Sequence, residues 1–223
     1  MACGLLIQAV TYLVTLHLSS CDIFQLSTLH SPLTLSFLSG CLGVCSVCLT
    51  AQGNIMTFVF GFAQVGTYTW LCLTQRFYGE IAINAYYFLT MIYGSYAWYT
   101  RLQTGREEGV RRVTPRHLSR RWMLLIAVLT LLGSWLAGWG LATWTDDTQP
   151  YLDAFTTVPA LVAQVLMILV YREHWFLWLA VDVLSVALWL RAGDYCMVAQ
   201  YAFWCANCFY GMHKWRLLET QEA

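Results

Sequence analysis

The chain has 223 residues, of which 59% are hydrophobic and 11% charged, with 11 Trp, and its mean hydropathy is +0.56. Too little polar surface remains to solvate a water-soluble domain, so the composition describes a polytopic membrane protein. The formal charge is zero and the one basic tract is confined to a loop, which leaves no footprint for a nucleic-acid partner.

Residues 1–32 hold an apolar stretch, Gly4 to Ser19, without the basic n-region and cleavage site of a signal peptide. It is short, and either spans the bilayer as an extra N-terminal helix or lies along the interface. Seven stretches near the length needed to cross a bilayer follow. They are Leu33 to Ala51, Asn54 to Thr74, Glu80 to Tyr99, Trp122 to Thr143, Leu152 to Val170, Trp175 to Leu190 and Tyr195 to His213. Most of the nine cysteines fall inside them, at Cys41, Cys45, Cys48, Cys72, Cys196, Cys205 and Cys208. Cys205 and Cys208 have C-x-x-C spacing but no second ligand pair nearby, so buried thiols acting as small apolar side chains are the better account than metal or redox chemistry.

Orientation follows from Lys and Arg, which cytoplasmic loops carry in excess. Threading the seven stretches alternately puts the seven Arg of the loop Arg101 to Arg121, together with Arg172, Lys214 and Arg216, on one side, and only Arg76 and Arg191 on the other. The C-terminus is therefore expected in the cytoplasm. A lipid-binding role for the Arg-rich loop is the alternative to plain topology determination.

The chain also resembles itself. A shift of 117 positions lays Tyr78 on Tyr195, Tyr93-Gly94 on Tyr210-Gly211 and Trp98 on Trp215. Three helices in 33–99 thus correspond to three in 151–216, separated by the loop 100–121 and a linker helix in 122–150, with a tail at 217–223. Both triplets begin on the outer face, and parallel repeats of odd helix number need one extra crossing. Trp122 to Thr143 supplies it, with Thr130 and Ser134 almost alone as polar residues at depth. The expected fold is an all-α membrane protein of 3+1+3 helices, and repeats of this kind put a substrate near midplane at their interface.

Asp182, near the middle of Trp175 to Leu190, is the most informative single residue. An ionised carboxylate at bilayer depth costs several kcal/mol unless it faces a partner, a cavity or a cationic ligand. Gln64, Asn84, Gln164, Gln200 and Asn207 add amides near helix centres, each expected to turn away from lipid. Gln200, Trp204 and Asn207 share one helical face, as do Glu80, Asn84 and Tyr87, and Trp178 precedes Asp182 by one turn. Singly, each amide reads equally well as an interhelical hydrogen bond. Together, amides suit hydroxyls and carboxamides, aromatic faces suit flat rings or cations, and the carboxylate suits a positive charge. Candidate substrate-binding residues are therefore Gln64, Asn84, Tyr87, Gln164, Trp178, Asp182, Gln200, Trp204 and Asn207, for a small, flat, cationic, hydroxylated molecule.

These residues resemble the PnuC family of bacterial vitamin transporters. The resemblance runs from about Ser36 to Trp215 and is most specific in Asp153-Ala-Phe-Thr-Thr157 leading to Val162-Ala-Gln164, in Glu173-His-Trp-Phe-Leu-Trp178 and in Val181-Asp-Val183. The blocks Ile92-Tyr-Gly94 to Trp98 and Gly211 to Trp215 agree with the two repeat ends. The family implies a 3+1+3 relative of the SWEET sugar transporters, in the bacterial inner membrane and often a homotrimer. Transport there is facilitated diffusion of nicotinamide riboside, which a separate cytoplasmic kinase traps, with thiamine and other vitamins or nucleosides as relatives' cargo. No cofactor, metal or G-x-x-x-x-G-K-[ST] loop is expected. Some riboside carriers of the family have Asn where this chain has Asp182. An intramembrane enzyme is disfavoured, because His117, His174 and His213 lie in a loop or at helix ends, away from Asp182. A non-transporting assembly subunit would leave the buried amides without a role.

Overall fold

The computed structural model describes residues 32–75, 78–107, 112–146, 149–192 and 195–220. The stretch Gly4 to Ser19, and with it the choice between spanning and interfacial, lies outside them. Among the described residues are seven helices: α1 (Pro32–Ala51), α2 (Met56–Gln75), α3 (Tyr78–Glu107), α4 (Arg120–Trp144), α5 (Pro150–Ile168), α6 (His174–Ala192) and α7 (Tyr195–Thr220). Pro150 starts α5, where a missing N–H costs nothing. Pro159 lies within α5, a position that membrane helices tolerate.

The helices follow the apolar stretches, with two instructive departures. α3 and α7 continue past Tyr99 and His213, to Glu107 and Thr220. Charged residues end an apolar run but not a helix, since Arg, Gln, Leu and Glu are all good helix formers. On length and composition alone, α2 over Met56–Leu73, α4 and α5 are apolar enough to cross a membrane, while Leu38–Ala51 and His174–Leu188 are shorter apolar runs. Interior amides and end charges dilute α3 and α7.

The chain forms two compact units, the first running to Leu49 and resuming over Met56–Ile92, the second made of Thr50–Ile55 and everything from Tyr93. In the first unit, α1 and α2 are pinned by a reciprocal pair: Ser46 Oγ donates to Thr57 O at 2.9 Å and Thr57 Oγ1 donates to Ser46 O at 2.8 Å. Phe62 of α2 meets Phe88 of α3 edge-on, with ring centroids 5.4 Å apart.

In the second unit α4, α5, α6 and α7 pack in sequence order. α4 buries Thr130, Ser134, Gly138 and Gly140, a stripe of small residues that allows close helix approach. A Cβ at Gly138 would stand 2.6 Å from the Tyr151 ring. The rest of α4 exposes Leu124, Val128, Leu131 and Trp135, an apolar surface suited to lipid.

The Arg-rich end of this unit is organised by the segment 112–118. Gly53 and Val170 have φ of 64° and 65° and stand 117 positions apart. Both carbonyls accept from the segment, Gly53 O from Val113 N at 3.3 Å and Val170 O from Arg116 N at 2.8 Å. His117 extends the clasp: its Nε2 lies 2.7 Å from Glu219 Oε1 and its Nδ1 lies 3.4 Å from Glu173 Oε1. Arg172 Nη1 donates to Glu219 Oε2 at 2.8 Å, and Arg101 Nη1 donates to Leu169 O at 3.0 Å. Beside the clasp is a buried aromatic hub of Trp98, His174, Trp175 and Trp215, with His174 and Trp215 centroids 4.6 Å apart and Trp98 and Trp215 centroids 6.4 Å apart. Trp215 Nε1 donates to Thr50 O at 3.0 Å.

Two glycines are required here for different reasons. Gly53 needs a left-handed backbone, so Gly53→Ala is expected to cost about 1 kcal/mol. A Cβ on Gly211 would lie inside the indole of Trp175, which is fully buried and cannot retreat, so Gly211→Ala is expected to cost roughly 1–3 kcal/mol. Thermal unfolding in detergent checks the order: the Gly211 variant melts below the Gly53 variant, and both melt below the parent.

Candidate functional site

Asp182 sits on α6 eight residues from its start, and only 6% of it is exposed. Burial of a carboxylate normally brings a cation with it. Here, among the described residues, no Lys, Arg or His pairs with Asp182. Its hydrogen-bond donor is the thiol of Cys208 on α7, with Sγ 3.5 Å from Oδ2.

α7 supplies two more unusual groups within a turn of that thiol. Among the described residues, the Nε1 of Trp204 and the Nδ2 of Asn207 are both buried donors without a hydrogen-bond partner. An unmade hydrogen bond on a buried donor costs about 1–3 kcal/mol, so such groups in a native structure call for a ligand or an ordered water. Exposure falls steadily along this face: Gln200 is exposed, Trp204 half-buried and Asn207 buried. The face thus becomes more buried toward Asn207.

The remaining candidates divide. Gln164 is buried on α5 but stands one turn from the helix end at Ile168, because the chain turns at Val170 sooner than hydropathy alone implies. Trp178 is half-buried on α6, one turn before Asp182. In the first unit Asn84 is buried, while Gln64 and Tyr87 are half-buried. Asn84, Tyr87 and Gln164 already engage other protein groups, unlike Trp204 and Asn207. Gln200 departs from the expectation that every amide turns inward. Cys208, a space-filling thiol by sequence, is not legible as a partner of Asp182, since nothing in a sequence separates a thiol that fills space from one that donates to a carboxylate. Ser185, buried one turn beyond Asp182, is a further polar group on the same helix.

Comparison with known proteins identifies the family. Residues 33–217 match the family described as nicotinamide mononucleotide transporter. The chain belongs to that family. The nicotinamide riboside transporter PnuC of Neisseria mucosa is 30% identical over 188 residues, spanning 79% of this chain and 69% of the relative. The protein of that name from Haemophilus influenzae is 32% identical over 186 residues, spanning 82% and 80%. A solved structure, the crystal structure of the vitamin B3 transporter PnuC, resembles this fold with a TM-score of 0.73 at 24% identity, covering 99% of this chain and 92% of the other. The family and its apolar helices make this a multi-pass membrane transporter and not an enzyme.

If the bare donors of α7 exist for cargo, removing them relieves the empty protein. Trp204→Phe and Asn207→Leu are expected to leave the melting temperature of the cargo-free protein unchanged or raised, while cellular uptake of the family's vitamin falls at least tenfold. Radiolabelled uptake and thermal unfolding on the same preparations test both halves of that expectation.

Proposed function

We propose that the chain moves nicotinamide riboside across the bacterial inner membrane by facilitated diffusion, with phosphorylation by a cytoplasmic kinase holding the cargo inside. The observation that carries this reading is the buried, cation-free carboxylate of Asp182. A carboxylate at that depth needs a positive charge, and the pyridinium ring of nicotinamide riboside brings one. The bare donors of Trp204 and Asn207 suit the ribose hydroxyls and the carboxamide oxygen. Trp178 offers an aromatic face one turn from the carboxylate. The names of the relatives from Neisseria and Haemophilus support the same cargo.

Gln164 and Gln200 join this group as polar contacts near the two ends of its helices. Gln64, Asn84 and Tyr87 are proposed as cargo contacts on their chemistry alone. The 3+1+3 duplication is likewise proposed. It is supported by helix ends at Ala51 and Ile168, helix starts at Tyr78 and Tyr195, and left-handed residues at Gly53 and Val170, each pair 117 positions apart. The excess of Arg around 101–121 supports a cytoplasmic C-terminus. Thiamine, a second aromatic cation, is the runner-up cargo and shares the demand for a carboxylate.

Titration calorimetry on the purified protein decides between them. Nicotinamide riboside is expected to bind and thiamine to bind at least tenfold more weakly; the reverse order would reassign the cargo, and binding of neither would end the reading. Asp182→Asn keeps the shape and removes the charge. It should weaken riboside binding by about 2 kcal/mol or more, roughly thirtyfold in Kd. Unchanged affinity would take the carboxylate out of the site.

A further inference from the structure

Cys208 has no place in the reading above, yet among the described residues it makes the one hydrogen bond seen on the carboxylate that the cargo needs. Its residue is 3% exposed, and the contact spans two helices, α7 to α6. At 3.5 Å the S···O separation is an ordinary one for sulfur, whose larger radius lengthens every contact. Two observations next to it point to a ligand: the bare Nδ2 of Asn207, on a side chain 5% exposed, and the bare Nε1 of Trp204 one turn earlier.

We propose that Cys208 is a positioning residue for the cargo's charge, its thiol donating to Asp182 Oδ2 and so fixing the rotamer in which Oδ1 meets the cation. The inference rests on the transport of a cationic cargo proposed above, and refines it. A thiol suits the task because it is a weak donor. It steadies one oxygen without neutralising the carboxylate, whereas Lys or Arg at this position would supply the very charge the cargo is selected for. Cys205, three residues earlier and half-buried, makes no hydrogen bond to Asp182 among the described residues and serves as a control.

The test uses two cargos of nearly the same shape, nicotinamide riboside and its 1,4-dihydro form, whose reduced ring carries no charge. The ratio of their Kd values measures charge recognition apart from general fit. Cys208→Ala is expected to weaken binding of the cationic form about tenfold, the size of a lost hydrogen bond to a charged group, with little change for the neutral form. Cys208→Ser should recover part of the ratio because a hydroxyl also donates, and Cys205→Ala should leave it at the parent value. Should Cys208→Ala unfold, the Cys208→Ser protein and the S–H stretching band of the parent carry the test, since that band should shift when the cationic cargo binds and stay fixed with the neutral one. Equal losses for both cargos, or an unchanged ratio, would reduce Cys208 to packing. Failure of the parent to bind either cargo would instead overturn the functional reading itself.

Discussion

A buried carboxylate with no Lys, Arg or His beside it among the described residues is the constraint on which the second unit turns. Taking a charge out of water costs several kcal/mol unless a partner sits against it, and among the described residues no Lys, Arg or His stands beside Asp182. The surroundings supply instead a weak thiol donor and two donors with nothing to bind. Each of these is a liability for an empty protein. Under the proposed function, one occupant that brings a cation and acceptors at once would satisfy all three, and selectivity would arise from groups left incomplete.

Such a site needs a rigid frame, and the frame lies toward the end of α7 far from Gln200. The segment 112–118 ties two left-handed turns, at Gly53 and Val170, through main-chain hydrogen bonds, and His117, Arg172, Glu173 and Glu219 lock the helix ends around it. Partly exposed ion pairs contribute little singly. Their value here is geometric, because each fixes where α6 or α7 begins or ends, and therefore where Asp182 and Asn207 stand along their helices. The aromatic hub completes the anchor, with Trp215 meeting both His174 and Trp175 edge-on.

What the sequence discloses follows from which forces are local. Helices in lipid satisfy their own backbone groups, so apolar runs locate them well, and Asp182, Asn207 and Gln164 can be recognised as buried before any coordinates exist because burial of polar groups in such runs has no cheap alternative. The clasp is not legible, since His117, Glu173 and Glu219 come from three distant stretches and look like ordinary loop or end charges. Nor is the depth of Gln200 or Gln164, which depends on where a helix starts or stops, and α5 stops at Ile168, just before a left-handed Val170 that no propensity scale anticipates. The role of Cys208 was hidden for another reason. A buried thiol is usually an apolar filler, and only its contact with Asp182 distinguishes it.

The proposed duplication sharpens what is special about one half. At an offset of 117, Tyr87 corresponds to Trp204, so an aromatic side chain recurs, yet Asp182 corresponds to Val65, Asn207 to Thr90, Trp178 to Gly61 and Gln164 to Val47. Backbone features survive the comparison, including the turns and helix starts, while the charged and amide chemistry does not. Under the proposed duplication, halves that share backbone features but differ in side-chain chemistry would tell the two ends of a cargo apart. A molecule carrying its positive ring at one end and hydroxyls along the other would then have one favoured orientation, set by the half that contains Asp182, and a carrier that binds its cargo in one orientation can discriminate against molecules that match either end alone.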